Sequence, residues 1–340
     1  MREVTTIGID IAKNIFQLHL VDKYGRKIDS KRLSRDKLIS FLANIPPCLV
    51  GMESCGSSYF WARQIEKLGH QVKLMAPQFV KPYVKSNKND ENDAEAIAEA
   101  VRRPTMRFVP IKNIAQQDMQ SLHRIREGAM KHKIFMSNQI RGLLAEYGIV
   151  FPQGDYALKT KFMATIEDSN NELSELSREL FIDLFIQFKQ ADEKVKEYEK
   201  KIILAAKENE QCQRVMKIEG VGPLIATAIV SAVGNARDFK NGREMAAWLG
   251  LVPRHIASGG KKRLLGITKR GDNYLRKLLI QGGRSLILSS RAKTDKRSIW
   301  ITQKCADTGY NKTAVAVANK NTRMIWALLY KNEEYKKIMA

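Results

Sequence analysis

A chain of 340 residues that is 44% hydrophobic has enough apolar material for more than one core, since single cores stop growing at about 250 to 300 residues. Lys and Arg number 58 against 36 Asp and Glu, a formal net charge of +22, and that balance suits a polyanion-binding surface and points to nucleic acid. The chain has no apolar run of about 18 residues, no signal-peptide pattern and no CxxC pair among Cys48, Cys55, Cys212 and Cys305, which argues against a membrane span, a disulfide framework or a zinc knuckle and for a reducing cytoplasm.

In chain order, Val4 to Ile9 reads as a strand, Phe16, Leu18 and Leu20 alternate as a second, and a third follows the turn-like Lys23 to Arg26. A helix near Asp36 to Leu42, a strand at Cys48 to Met52, a helix through Trp61 and a strand at Gln71 to Met75 complete the order β-β-β-α-β-α-β. An RNase H-like mixed sheet has that order, as do unrelated sheets. From Gln116 to Gly148 the pattern is helical and basic, with Leu122, Ile125, Ala129, Ile140, Leu143 and Leu144 apolar and Arg124, Lys131, Lys133 and Arg141 elsewhere. A longer run, Leu173 through Leu176, Leu180, Leu184, Phe188, Val195 and Ile202, steps by three and four, as a coiled-coil seam or a pair of bundle helices would. After Cys212 glycines punctuate short helical segments, and Lys312 to Tyr330 reads as a final amphipathic helix. The expected division is 1–110, an α/β domain; 111–211, a helical arm; and 212–340, an α-rich second globular domain.

Asp10 ends the apolar run of the first strand and Glu53 ends the strand at Cys48 to Met52, positions where a carboxylate is costly unless paired or metal-bound. Asp90 and Asp93, three apart at the start of an Ala-rich helix, share a helical face. Such an oxygen-donor set suits Mg²⁺ or Mn²⁺ and phosphoryl transfer. Taken singly, each acid also fits a turn, a cap or a helix N-terminus, and Glu91, Glu95 and Glu99 read as solvated acids. Further on, Lys217 to Pro223, with Gly220 and Gly222, resembles the turn of a helix-hairpin-helix, whose exposed N–H groups suit phosphate, or else a tight helix–helix turn. From Pro253 to Lys277 eight residues are Lys or Arg and one is acidic. Ser258, beside Gly259 and Gly260 and close to Lys261, Lys262 and Arg263, is a candidate nucleophile, although most serines in glycine-rich loops only satisfy turns.

Taken together, Gly8-x-Asp10-x-x-Lys13, Met52-Glu53-x-x-Gly56, Lys88-x-Asp90-x-x-Asp93-Ala94, Asn138-x-Ile140-Arg141-Gly142-Leu143-Leu144, Gly220-Val221-Gly222 and Ser258-Gly259 to Gly271 resemble, in that order and over nearly the whole chain, the bridge-RNA-guided transposases of the insertion sequence 110 family, its 1111 subgroup and the related pilin-gene invertases. The resemblance implies a RuvC-like domain whose DEDD tetrad falls on Asp10, Glu53, Asp90 and Asp93 and binds Mg²⁺ or Mn²⁺. It implies a C-terminal transposase domain in which Ser258 forms a 5′-phosphoserine link to cut DNA. Donor and target DNA would be chosen by pairing with a structured noncoding RNA, and the protein would assemble as dimers and tetramers in the bacterial cytoplasm, on the nucleoid when bound to DNA. Contacts to nucleic acid are expected from Lys13, Lys88, Arg124, Arg141, Gly220, Gly222, Lys261, Lys262, Arg263, Lys269, Arg270 and Arg276. Asn89 departs from the hydroxyl residue common at its position in the family. The rival readings are a RuvC-type junction nuclease, which needs no Ser258, and a non-catalytic nucleic-acid-binding protein.

Overall fold

A computed structural model describes residues 3–85, 89–258 and 261–335. These form two compact units, residues 1–113 and 114–340, so the expected helical arm and C-terminal domain lie in one unit.

In the first unit β1 (Thr6–Ile11), β2 (Ile15–Val21) and β3 (Lys27–Ser34) form an antiparallel meander. Then α1 (Leu38–Ala43) leads to β4 (Leu49–Glu53) and α2 (Ser58–Glu66) leads to β5 (Gln71–Met75). After α3 (Pro77–Val80) and a 3-10 turn, α4 (Asp90–Ala100) precedes the short β6 (Phe108–Val109). The sheet order is β3-β2-β1-β4-β5-β6, with β4 parallel to both β1 and β5. The order expected from alternation is present; β6 is too short to leave a periodic signal.

The two faces of the sheet bury different things. Ile7, Ile9, Leu18, Val50 and Met52 pack with Leu38, Leu42, Trp61 and Ile65 of the first two helices. On the opposite face, residues of the other parity, Gly8 and Gly51, lie under α4 and the residue that follows it, Val101.

The second unit is helical apart from one hairpin. It contains α5 (Ile114–Ala145), α6 (Asp155–Glu167), α7 (Glu175–Glu208), α8 (Glu210–Met216), α9 (Pro223–Val233) and α10 (Gly242–Trp248). The paired strands β7 (Pro253–Ser258) and β8 (Lys261–Ile267) follow, then α11 (Asn273–Ser290), α12 (Lys296–Thr308) and α13 (Tyr310–Lys331). Helices α5 and α7 run antiparallel, tied by Arg126 to Glu199 and Lys133 to Asp192, with Met136, Ile140 and Leu144 in one core with Phe181, Phe185 and Phe188. The long periodic run therefore has its partner helix in its own chain. Its seam is the expected one from Phe188 through Val195 to Ile202, all buried, and shifts only near the N-terminal end of α7, where Phe181 and Phe185 are buried and Leu176 and Leu180 are 65% and 54% exposed. Steps of three and four do not distinguish two adjacent stripes when both carry apolar residues. Likewise the buried face of α5 includes His123 and Arg126, while Ile125 and Leu143 face solvent. No helix among the described residues is long and apolar enough to cross a membrane.

Candidate functional site

The strand acids come together through register. In the β1–β4 pair Ile9 is opposite Met52, so Asp10 and Glu53, one residue on, lie near the C-terminal ends of neighbouring parallel strands, both half-buried. Burial pushes the Cys55 thiol above its ordinary pKa, and the charges of Glu53 and Asp10 push it the same way, so all three groups share one electrostatic neighbourhood.

Each acid stands two residues after a glycine, in Gly8-Ile9-Asp10 and Gly51-Met52-Glu53. Alternation puts glycine and acid on the same sheet face, the face covered by α4. A Cβ on Gly8 would collide with the Ala94 carbonyl oxygen and the Ala98 amide nitrogen and lie 2.8 Å from the Ala98 Cβ. A Cβ on Gly51 would lie 2.8 Å from the Val101 Cβ. These glycines let the helix that carries Asp90 and Asp93 rest on the strands that carry Asp10 and Glu53. Gly8→Ala is accordingly expected to lower the unfolding free energy of the first unit by about 2–3 kcal/mol, because the obstacle is backbone that no rotamer change relieves. A variant with an unchanged denaturant midpoint would show that the close approach is dispensable. The paired glycine–acid spacing was the available sequence signal for this scaffold, and it takes both segments to see it.

Asn89 N-caps α4, its side chain accepting from the Asn92 amide at 2.7 Å. Ser or Thr would do the same, so the departure at this position keeps the helix start intact. Glu91, Glu95 and Glu99 are paired on the surface with Lys27, Lys85 and Arg103, as expected of solvated acids. Asp90 and Asp93, in the first turn of α4, take part in no ion pair among the described residues, unlike Glu91, Glu95 and Glu99 of the same helix. No three Asp, Glu, His or Cys side chains among the described residues are gathered closely enough to hold a metal ion. The chain alone thus brings Asp10 and Glu53 together and holds Asp90 and Asp93 on the adjoining helix without closing the four into one cluster. Lys88 lies outside the described residues.

In the second unit the glycine-rich basic stretch is a two-stranded ribbon, where a loop among helices was expected. Ser258 is the last residue of β7, paired with Lys261 of β8; Gly259, Gly260 and the side chains of Ser258, Lys261 and Lys262 lie outside the described residues. A Gly-Gly pair between two short runs that include Ile256 and Leu264 is a hairpin signal, masked by the density of charge around it. Arg254, His255, Ile256, Arg263 and Leu264 are all exposed, so the ribbon offers both faces to solvent. Its base is fixed by close backbone approach, since a Cβ on Gly250 would collide with Arg270 and one on Gly271 with the Trp248 carbonyl.

The ribbon is followed by a buried polar chain at the start of α11. Thr227 Oγ1 donates to the Pro223 carbonyl at 2.7 Å and so accepts from His123 Nε2 at 2.9 Å, which leaves His123 Nδ1 to accept from the Tyr274 hydroxyl at 2.9 Å. Burial, helped by the nearby Arg126 charge, pushes the His123 pKa down to about 4, so the ring is neutral near pH 7 and ties α5 to α9 and α11. Sequence reading missed this residue, because one histidine in a basic helix carries no signal of burial.

The remaining expected contacts divide. Lys13, Arg124, Arg263, Lys269 and Arg270 are exposed and available to nucleic acid. Arg276 is buried, its guanidinium donating to the carbonyls of Leu249 at 3.1 Å and Arg270 at 3.0 Å; it braces the ribbon's base and is not a surface contact. Arg141 donates to the carbonyls of Ser137, Pro152 and Gly154, which holds the turn after α5 and occupies its donors. Gly220 has φ +81° and lies against α11, where a Cβ would come 2.9 Å from the Gly282 carbonyl oxygen. Its glycine thus serves helix packing, the tight-turn reading, while Gly222 at the N-cap of α9 has open space around it.

Comparison with known proteins agrees with this arrangement. A family model described as "Transposase IS116/IS110/IS902 family" matches residues 212–298, and the IS110 DEDD transposase model matches residues 7–149. A probable family 20 transposase of Pseudomonas aeruginosa is 42% identical over 338 residues, covering 98% of this chain and 99% of its own. The transposase for insertion sequence element IS1111A of Coxiella burnetii is 41% identical over 336 residues, 99% of this chain and 92% of its own. That for IS1328 of Yersinia enterocolitica is 39% identical over 328 residues, 96% and 97% of the two chains. With an acid-bearing mixed sheet, a basic glycine-rich second unit and likeness of this extent, the chain belongs to the IS110 family of transposases.

Proposed function

We propose that this transposase cuts and rejoins DNA through a serine-linked intermediate, with the sheet of the first unit acting as a RuvC-like carboxylate site. The observation that carries the reading is the side-by-side placement of Asp10 and Glu53 beneath the helix that bears Asp90 and Asp93. These oxygen donors fit a hard divalent cation. Asp10, Glu53, Asp90 and Asp93 would hold Mg²⁺ or Mn²⁺, which when bound stabilises the charge on the attacking and leaving oxygens of a phosphoryl displacement. Ser258 Oγ attacks the phosphorus, the bond to the 3′ oxygen breaks, and the serine proton passes in net terms to that oxygen. A 5′-phosphoserine and a free 3′-hydroxyl result. Attack by a 3′-hydroxyl on the phosphoserine reverses the chemistry and reseals the strand.

The cations of the β7–β8 ribbon, Arg263 with Lys261 and Lys262, contact the phosphate backbone, and sequence choice lies in pairing of both DNAs with a structured bridge RNA, so the protein needs little base readout. The protein acts in the bacterial cytoplasm on nucleoid DNA, as dimers that pair into tetramers.

Purified protein incubated with its RNA, Mg²⁺ and end-labelled DNA carrying the element junction should give a protein–DNA adduct that survives denaturant. Clean cleavage without an adduct would instead favour a junction nuclease that uses water. Glu53→Gln keeps the size and removes the charge, so it should keep RNA and DNA binding while lowering cleavage at least about a hundredfold, the scale of losing one electrostatic stabiliser. Recombination at the native rate would remove Glu53 from the site.

A further inference from the structure

The second unit carries a concentration of unpaired positive charge away from the ribbon. Arg243 of α10 and Lys320 and Arg323 of α13 line a groove of about 480 Å³, together with Met324, Trp326 and Ala327. All three cations are exposed. Gly242 makes the groove possible, because a Cβ there would lie 2.8 Å from the Arg323 Cα, so α10 meets α13 at backbone distance. Behind the groove stands Arg297 of α12, which donates to Asn321 and, at 3.5 Å, to the Glu219 carbonyl, while its Nε and Nη1 are buried without a hydrogen-bond partner. None of Arg243, Arg297, Lys320 and Arg323 takes part in a salt bridge among the described residues, although Lys293 nearby is paired with Glu219. Burial lowers the Lys320 pKa, and the charges of Arg297 and Arg323 lower it further, the mark of cations crowded without a counter-charge.

We propose that Arg243, Lys320 and Arg323, backed by Arg297, form a second seat for the phosphate backbone of duplex DNA, separate from the ribbon that carries Ser258. Crowded cations without carboxylates destabilise the free protein, and a polyanion offsets them. Duplex is favoured over single strands because single-strand sites stack bases on aromatic faces that stand clear of the surface. Neither indole here does so. Trp326 is half-buried, stacked on Tyr330 at 4.8 Å with its N–H given to the Phe239 carbonyl, and Trp300 lies half-buried beneath the Lys320 ammonium at 4.2 Å. This rests on the reading of the chain as an enzyme that acts on DNA.

The test is a salt titration of the full chain binding end-labelled duplex DNA, with wild type beside Lys320→Gln/Arg323→Gln. Each lost phosphate contact flattens the plot of log affinity against log salt by about 0.9, so the pair should flatten it by nearly 2 and weaken binding about ten- to thirtyfold near physiological salt. Thermal stability of the free double variant should be equal or higher, a result that a merely structural role would not give. If the double variant melts lower, Arg243→Gln, on a different helix, reads the same surface with a slope change of about one. Unchanged affinity and slope overturn the seat. So does loss of binding to an RNA duplex of equal length with DNA binding intact, which makes the surface an RNA one. Failure of wild type to bind DNA at all would instead overturn the functional reading on which the seat depends.

Discussion

Ser258→Ala is expected to abolish the denaturant-resistant adduct and to lower strand exchange by at least about 10⁴-fold, since loss of a covalent nucleophile leaves only binding and electrostatic stabilisation. Binding of RNA and DNA should persist. Ser258 ends β7 in backbone pairing with Lys261, and that pairing does not depend on the hydroxyl. Alanine therefore deletes the reactive oxygen and leaves the ribbon its register. Exposed Arg254 and Arg263 on the same ribbon would still hold the phosphate. The comparison with Glu53→Gln is informative, because the two residues belong to different compact units and act in different ways. The glutamine variant should slow adduct formation yet leave trace adduct in long incubations, whereas the alanine variant should leave none at any time. Adduct formed by Ser258→Ala at the native rate would assign the nucleophile elsewhere.

The parts of this molecule legible in its sequence are those where one periodicity had one explanation. Phe16, Leu18 and Leu20 alternate, and they are buried in β2 as alternation requires. Asp10 and Glu53 interrupt apolar runs at strand ends, and parallel pairing brings them abreast. Where two physical explanations shared one pattern, the sequence left them unresolved. Arg141 and Arg276 look like phosphate ligands in a basic chain, yet both spend their donors on carbonyls of their own unit, because a guanidinium serves a buried turn as well as it serves a phosphate. Gly220 fits a phosphate-binding turn and a close helix contact equally, and only the proximity of Gly282 shows the second. The cation groove of α10 and α13 was not legible at all, since Arg243 and Arg323 are 80 positions apart and meet only through Gly242.

The largest stability effect is expected at Asp192, in a charged cluster between the long helices. Its carboxylate is 8% exposed and contacts Lys133 at 2.7 Å, Lys159 at 2.7 Å and Lys196 at 2.9 Å. Burial pushes its pKa up, but hydrogen bonds from the three ammonium groups outweigh burial and hold it well below the ordinary carboxylate range. Asp192→Ala leaves Lys133, itself 12% exposed, with Asp155 as its remaining described carboxylate partner. Breaking a buried pair costs about 3–5 kcal/mol, and because Lys159 and Lys196 can return to water the expected loss here is about 2–4 kcal/mol, read as a lower denaturant midpoint for the second unit. The pH dependence has a fixed sign. A carboxylate whose folded pKa is depressed contributes fully above its unfolded value of about 3.9, and the contribution is lost as pH falls from there toward the folded value. The gap between wild type and Asp192→Ala should thus be constant from pH 5 to 8 and narrow below about pH 4. An equal midpoint for the two proteins at pH 7 would mean that desolvation of Asp192 cancels its three ion pairs. The cluster would then fix the register of α5 against α7 without stabilising the pair.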